Sequence, residues 1–394
     1  MLILIVINSL EGGGAERVAC TLAKHWSLQG HELHIVTLHG GPIVYELPPE
    51  VRLHSLEARR LLRGPGRLAL VPVGALELAR LLDRLEPDAT ISFLTRSNLV
   101  HILTRWFGNR RPIYISERSF SEAEYVGPRR VVGMMVKRLY PLATGIVAIS
   151  EGVKNSLGRM GVPLSTITAI YNPQNLDEIR AAAQTVTRKR SAGSFRMVMA
   201  GRLAEPKDYS TLLEALAVLV RQRKLDVRLI VLGDGPHKAA LHAKARALGV
   251  ADCVEWKGWV NDIHAVMATC DVFTFASTYE GFGNVIVEAM ACGLPVVSTD
   301  CPGGPREILE DGRHGFLVPM GDHERIADAV QALATDAAVY ADYKNRALER
   351  AECFDVSLVA DQYLELLSGD VPKEGSSGFR ELAGDLPVSR LQRC

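Results

Sequence analysis

Glu280-Gly281-Phe282-Gly283-Asn284-Val285-Ile286-Val287-Glu288 joins an apolar run, Val272–Ala276, to a helical run that ends near Cys292. A buried strand, a glycine turn and a helix in that order make one βα unit of a parallel sheet. Gly281 and Gly283 flank the turn, where backbone amides can come close to a ligand. Glu280 stands before the helix, and Glu288 lies about one to two turns inside it. Glu288 sits between Val287 and Ala289-Met290-Ala291 on an otherwise apolar helix. A carboxylate buried without a partner is costly. It therefore calls for hydrogen-bond donors, and sugar hydroxyls would serve; a half-exposed glutamate on a helix face is the plainer alternative.

Outward from this unit the same alternation fills the chain. Phe195–Ala200, Val227–Leu232 and Pro295–Thr299 read as further buried strands, with helices over Thr211–Val220 and Lys238–Leu248. The first half offers Leu2–Ile7, Glu32–Leu38, Ala89–Leu94, Ile113–Ser116, Gly145–Ser150 and Thr166–Tyr171. Continuous apolar runs of this length suit parallel strands covered on both faces. Ala15, Val18, Ala19, Leu22 and Trp26 form one helical stripe at a 3.6-residue period. The expected class is α/β, with two Rossmann-like, doubly wound domains. We place the first at 1–175, a linker at 176–194 and the second at 195–354. A closing helix follows at 355–368, with C-terminal helices packing back. Residues 369–394, rich in Gly, Ser, Pro and charge, read as a mobile tail.

Bulk properties exclude several classes. The chain has 394 residues, 47% hydrophobic and 23% charged, with a formal net charge of zero. That is globular composition, and it argues against wholesale nucleic-acid binding. The seven cysteines are scattered and include no C-x-x-C pair, so reduced thiols are expected rather than a disulfide framework or structural zinc. The opening MLILIVINSL lacks the basic flank of a signal peptide. No apolar run reaches the roughly 20 residues that span a bilayer. We expect a cytoplasmic protein whose membrane contact, if any, is peripheral on the inner face of the plasma membrane.

Two more loops fall at the carboxyl ends of strands, where open α/β sheets bind ligands. Gly12-Gly13-Gly14, within Glu11–Arg17, opens a helix after the first strand, and a helix N-terminus favours anions. The spacing is not G-x-G-x-x-G, so a dinucleotide site is poorly supported. Gly201–Asp208 carries Arg202 and Lys207, two cations able to neutralise a diphosphate leaving group. A further signal is basic. Arg96, Arg105, Arg110, Arg111, Arg118, Arg129, Arg130, Lys137 and Arg138 face only Glu117, Glu122 and Glu124 in that stretch. Trp106, Phe107, Tyr125, Met134 and Met135 are interleaved, and Arg59, Arg60, Arg63 and Arg67 form a second cluster. Such a surface would suit an anionic leaflet, or could be a solvated basic face.

Glu-x7-Glu with an internal Gly-Phe-Gly, preceded by Gly-Arg-Leu and Lys207, resembles the retaining glycosyltransferases of family 4. Leu232-Gly233-Asp234-Gly235-Pro236, Gly258-Trp259-Val260 and Gly293-Leu294-Pro295-Val296-Val297 extend the resemblance over nearly the whole chain. Gly-Gly-Ala-Glu-Arg near the start and Ile115-Ser116-Glu117-Arg118 are similar to a subgroup that builds bacterial glycans on polyprenyl diphosphates. The resemblance implies the GT-B fold, two Rossmann-like domains facing a central cleft. It implies transfer of a hexose or N-acetylhexosamine from a UDP-sugar to a lipid-linked glycan acceptor. Arg202 and Lys207 would grip the diphosphate, Glu280 the transferred sugar and Glu288 the ribose. The amides of Gly281, Phe282 and Gly283, with Asn284 beside them, would support sugar and phosphates. Trp259 and Val260 would lie near the base. Gly12, Gly13, Gly14 and Arg118 would face the diphosphate and acceptor. One departure stands out: many relatives carry a histidine after the Ala89–Leu94 strand. Here that loop reads Thr95-Arg96-Ser97-Asn98, and His101 is expected inside a helix.

No Asp-x-Asp occurs, so no metal and no cofactor are expected. Retention then suggests front-face substitution, in which the leaving phosphate oxygen helps deprotonate the acceptor; double displacement through Glu280 is the alternative. Competing classes are a nucleotide-sugar epimerase, a nicotinamide-dependent dehydrogenase and a non-catalytic sugar-nucleotide-binding subunit. The first lacks recognisable catalytic acids and the second a glycine fingerprint. The third would keep the fold, yet all four charged site residues are present.

Overall fold

The computed structural model describes residues 1–56, 71–119, 125, 127–186 and 193–369. Arg59, Arg60, Arg63, Arg67, Glu122, Glu124 and the stretch 370–394 lie outside the described residues. The chain divides into two compact units, which exchange at Gln174/Asn175 and again at Asp355/Val356.

The first unit is built on a parallel sheet of seven strands: β1 (Leu2–Ile7), β2 (Glu32–Thr37), β3 (Arg52–Ser55), β4 (Ala89–Phe93), β5 (Tyr114–Glu117), β6 (Gly145–Ala148) and β7 (Ile167–Ala169). Their order is β3-β2-β1-β4-β5-β6-β7, so the winding reverses between β1 and β4. Ile3, Ile5 and Ile7 are fully buried, and Val18, Leu22 and Trp26 of helix Gly14–Leu28 join their core cluster. The predicted apolar stripe is thus the buried face of that helix. Helix Val356–Ser368 belongs to this unit as well. The Trp26 indole donates to the Ala360 carbonyl at 3.3 Å, and Trp26 meets Tyr363 edge to face at 6.3 Å.

The second unit has six parallel strands: β8 (Phe195–Ala200), β9 (Val227–Leu232), β10 (Val254–Gly258), β11 (Val272–Phe275), β12 (Val296–Thr299) and β13 (Phe316–Val318). The order β10-β9-β8-β11-β12-β13 reverses between β8 and β11. Met197, Met199, Leu229 and Val231 form its centre with Leu212 and Leu216 of helix Tyr209–Ala217 and Ile326 and Val330 of helix His323–Thr335.

Three strands escaped the sequence reading: β3, β10 and β13. All three are sheet edges or mostly polar, and β3 exposes Arg52, Leu53 and Ser55. An edge strand is covered less and shows no continuous apolar run. The stretch read as a linker contains helix Leu176–Gln184, with Leu176 and Ile179 buried and Asn175 capping its N-terminus. This helix packs on Ile263–Met267 and Asn284–Ala291 of its own unit. Among the cysteines, Cys20, Cys253, Cys270, Cys292 and Cys301 are free thiols, as expected.

Candidate functional site

The loops that leave β8 and β11 come from neighbouring strands at the reversal point of the second sheet. Outside the carboxyl ends of such strands a crevice is left open, because successive connections diverge to opposite faces. Each loop is held by local chemistry. A short turn, Glu205–Lys207, ends at Asp208, whose φ of 39° is left-handed. The Asp208 carboxylate caps the next helix, accepting from the Thr211 amide at 3.3 Å and the Thr211 hydroxyl at 2.6 Å. The Tyr209 hydroxyl donates back to the Gly201 carbonyl at 2.8 Å, closing the loop on itself. The Thr278 amide donates to the Pro206 carbonyl at 2.9 Å and ties this loop to the one after β11.

This arrangement brings Lys207 against Glu280. The Lys207 ammonium donates to a Glu280 carboxylate oxygen, and it also lies 5.2 Å from the Phe275 ring centroid. The two side chains are 22% and 23% exposed, so the pair is reachable from solvent but partly shielded from it. Partial shielding strengthens charge interactions relative to open water. Arg202, five residues earlier, is exposed.

Glu280 is also fixed from behind. Its amide donates to the Pro302 carbonyl at 3.0 Å. Gly303 packs so closely that an added Cβ would stand 1.6 Å from the Glu280 carbonyl oxygen, at a φ of +116° where side chains are disfavoured anyway. Sequence reasoning did not single out Gly303; the Gly303-Gly304-Pro305 run was the available signal. Cys301, from the same segment, has its thiol pushed up to about 12 by burial and then by Glu280, with Lys207 opposing. It therefore remains a neutral neighbour of the pair.

Gly283 turns the chain into helix Asn284–Ala291 with a left-handed φ of 106°, and it offers no capping side chain. Phe282 is buried and meets Phe354 edge to face at 5.6 Å, which anchors the Gly281–Gly283 turn. Glu288 is 1% exposed, and its carboxylate lies 3.0 Å from Nε2 of His264. Nothing in the sequence marks His264, which lies 24 residues from Glu288. Trp259 and Val260 follow the end of β10. Trp259 is 80% exposed, and the Gly258 carbonyl accepts from the Gly233 amide at 2.7 Å. A Cβ at Gly233 would in turn stand 2.0 Å from the Gly201 carbonyl, so the loops after β8, β9 and β10 are stacked in contact.

The first unit presents a different surface at its own reversal point. Gly12 turns with φ +103°, Gly13 precedes helix Gly14–Leu28 without a side-chain cap, and the Tyr45 hydroxyl donates to the Gly13 carbonyl at 3.0 Å. Ser97 donates to Asn8 at 2.8 Å, and Ser92 to Asn98 at 2.9 Å. Glu117 is 1% exposed and accepts from the Tyr140 hydroxyl at 2.6 Å, the Ser119 hydroxyl at 2.9 Å and the Arg118 amide at 2.9 Å. Burial, and then the Glu117 charge, raise the Tyr140 phenol well above its ordinary value, so it stays a donor. The Arg118 guanidinium donates to the Asn172 side chain and, at 3.3 Å, to the Ser116 hydroxyl; it lies 5.5 Å from the Phe93 ring centroid.

The basic stretch splits in two. Arg105 donates to the Asn109 and Arg111 carbonyls, and Arg111 pairs with Asp83 and Glu86. These residues hold local structure. Arg129, Arg130, Lys137 and Arg138 are exposed on or beside helix Arg130–Leu139, together with Val131 and Met134. His101 lies inside helix Thr95–Leu103 and is fully buried. Among the described residues, no group of three or more His, Cys, Asp or Glu side chains could hold a metal ion. No described helix is long and apolar enough to cross a membrane.

Two parallel-sheet Rossmann-like units, the second bearing a cation–carboxylate pair at its reversal point, are the architecture expected of a GT-B protein. Comparisons with known proteins narrow this further. Residues 12–178 match the family model described as Glycosyltransferase Family 4, and residues 194–336 that described as Glycosyl transferases group 1. A Campylobacter jejuni N-acetylgalactosamine-N,N'-diacetylbacillosaminyl-diphospho-undecaprenol 4-alpha-N-acetylgalactosaminyltransferase is 32% identical over 93% of this chain and 99% of its own. A second C. jejuni enzyme, a GalNAc-alpha-(1->4)-GalNAc-alpha-(1->3)-diNAcBac-PP-undecaprenol alpha-1,4-N-acetyl-D-galactosaminyltransferase, is 25% identical over 93% of this chain and 98% of its own. The solved structure of Anabaena Alr3699/HepE in complex with UDP and glucose is similar with a TM-score of 0.75 and 25% identity, covering 93% of this chain and 99% of that one. The chain belongs to glycosyltransferase family 4.

Proposed function

We propose that this glycosyltransferase moves a hexose or N-acetylhexosamine from a UDP-sugar to a polyprenyl-diphosphate-linked glycan, with retention of anomeric configuration. The carrying observation is the Lys207–Glu280 pair at the reversal point of the second sheet. Arg202 and Lys207 neutralise the UDP leaving group, replacing a metal as the source of positive charge. Their attraction for the diphosphate grows as the glycosidic bond breaks, which is the differential binding that lowers a barrier. Glu280 accepts hydrogen bonds from hydroxyls of the transferred sugar and steadies the oxocarbenium-like centre. The Gly281–Gly283 amides, with Asn284, support sugar and phosphates at the helix N-terminus. Glu288 accepts from the ribose diol, and Trp259 and Val260 flank the base.

On this reading residues 195–354 hold the donor, while residues 1–175, through Gly12, Gly13, Gly14 and Arg118, address the acceptor. The C. jejuni relatives are named for transfer to undecaprenyl-diphosphate-linked glycans, and the Anabaena neighbour was solved with UDP and glucose. These names support both halves of the reading. Exposed Arg129, Arg130, Lys137 and Arg138 beside Val131 and Met134 suit peripheral docking on an anionic leaflet. Each such cation contributes about 1 kcal/mol near that surface. Replacing the four with Gln should weaken binding to anionic liposomes; unchanged binding would leave them a solvated face.

The deciding experiment is transfer from UDP-sugars to a lipid-linked acceptor in excess EDTA, with the product anomer read by NMR. Activity should persist without metal, and the donor's anomeric configuration should survive. Loss of activity on chelation, restored by magnesium or manganese, would overturn the metal-free mechanism, and an inverted product would overturn retention.

A further inference from the structure

We infer that His264 is a positioning residue for nucleotide binding, acting through the Glu288 carboxylate. This rests on the reading that Glu288 meets the ribose. His264 sits in the first turn of helix Ile263–Met267, whose N-terminus is capped by Asp262 through the Ala265 amide at 3.0 Å. Glu288 and Cys292 are four residues apart on helix Asn284–Ala291 and its cap, and residues so spaced share a face. Both meet His264. Nε2 of the imidazole lies 3.0 Å from the Glu288 carboxylate, and the Cys292 thiol points at the His264 carbonyl at 3.9 Å. The thiol is pushed up to about 12 by burial, then by Glu288, so no second anion competes there.

The chemistry follows from burial. A carboxylate that is 1% exposed must already be met by hydrogen-bond donors, and the His264 ring is one that lies within 3.0 Å of it. A ring carried on its own capped helix contributes to orienting that carboxylate before the ligand arrives, which lowers the ordering cost of binding. His264 is 20% exposed, so it stands at the solvent side of the pair, four residues beyond the Val260 loop. One short segment therefore links the proposed base site to the proposed ribose site. Pre-orientation of this kind strengthens binding of substrate and transition state alike, so it should appear in Kd and KM rather than in kcat.

The test uses the full chain, with uridine as the probe because it has a ribose and base but no phosphate. Titrations of uridine and of UDP would be run on wild type, His264→Ala, His264→Gln, His264→Asn and Glu288→Ala, with turnover of the donor alongside. His264→Ala should weaken uridine roughly tenfold, the equivalent of about 1.4 kcal/mol, and raise donor KM similarly while kcat stays within about twofold. The Gln amide nitrogen reaches where Nε2 does and should restore binding; the shorter Asn should not. If the Ala and Gln variants bind uridine like wild type while Glu288→Ala does not, the positioning role is wrong and the ribose reading stands. Normal binding by Glu288→Ala as well would overturn the ribose reading itself. A fall in kcat with unchanged KM in the Ala variant would also overturn the inference.

Discussion

The two sheets reverse their winding in the same way, between β1 and β4 in one unit and between β8 and β11 in the other. Their loop ends nevertheless carry different chemistry. In the second unit the crossing point holds an accessible cation–carboxylate pair, Lys207 and Glu280, with exposed Arg202 nearby. In the first, Ser92, Ser97, Asn8 and Asn98 knit the loops with neutral hydrogen bonds, Tyr140 links Asn98 to the buried Glu117 carboxylate, and the Arg118 guanidinium is held by Ser116 and Asn172. A common architecture supplies a crevice, and the residues on its rim decide what the crevice can stabilise. Perturbing the charged rim of the second unit should therefore cost transfer with little loss of stability, whereas perturbing the buried hydrogen-bond network of the first should cost stability.

The largest expected effect concerns the charged rim. Arg202→Ala or Lys207→Ala should lower transfer by roughly 100-fold or more, the scale of removing one preorganised charge stabiliser. Denaturation midpoints should barely move for Arg202, which is exposed. Near-normal turnover in both variants would erase the distinction between the two rims.

A smaller effect tests the first unit. His101 is fully buried, and burial followed by Arg105 lowers its pKa from 6.5 to about 3, with a hydrogen bond to the Tyr114 backbone opposing them. The unfolded chain takes up this proton first as the pH falls. The stability tied to neutral His101 is therefore complete above pH 6.5 and drains away between 6.5 and 3. At pH 5 the loss should be about 2 kcal/mol. Urea titrations of wild type and His101→Leu at pH 7 and pH 5 read this directly. The variant should show a shallower pH dependence; equal slopes would remove His101 as the cause.

The smallest effects sharpen the second unit internally. A lost ligand hydrogen bond to a carboxylate costs about 1–3 kcal/mol. Glu288→Ala should weaken free UDP and the intact donor together, by calorimetry. Glu280→Ala should leave free UDP nearly unchanged and depress transfer and donor-sugar selectivity. Glu280→Gln should bind donor better than Glu280→Ala yet remain slow, because the charge is gone. Equal weakening of UDP by both Ala variants would dissolve the division of labour.

Much of this was legible in the chain. The central strands of both sheets announced themselves as apolar runs, and the Glu280–Glu288 turn as a βα junction. Local signals failed where the environment is half solvent. Strand β3 is polar because it is an edge, and helix Leu176–Gln184 buries only Leu176 and Ile179 across its length. His101 carried no mark of its burial beyond helical spacing.

The sequence by itself determined the alternation of strands and helices, the glycine turns at strand ends, and the presence of Arg202, Lys207, Glu280 and Glu288 at those ends. Periodicity and backbone freedom are local properties, so the chain states them directly. Only the tertiary structure decided which of these residues meet. Lys207 and Glu280 are 73 residues apart and pair because β8 and β11 lie side by side. His264 reaches Glu288 because two helices cross, and Gly303 is glycine because a distant carbonyl occupies the space of its side chain. Such pairings depend on strand order and helix packing. Those are fixed by burial summed over the whole core, and no short stretch of sequence contains them.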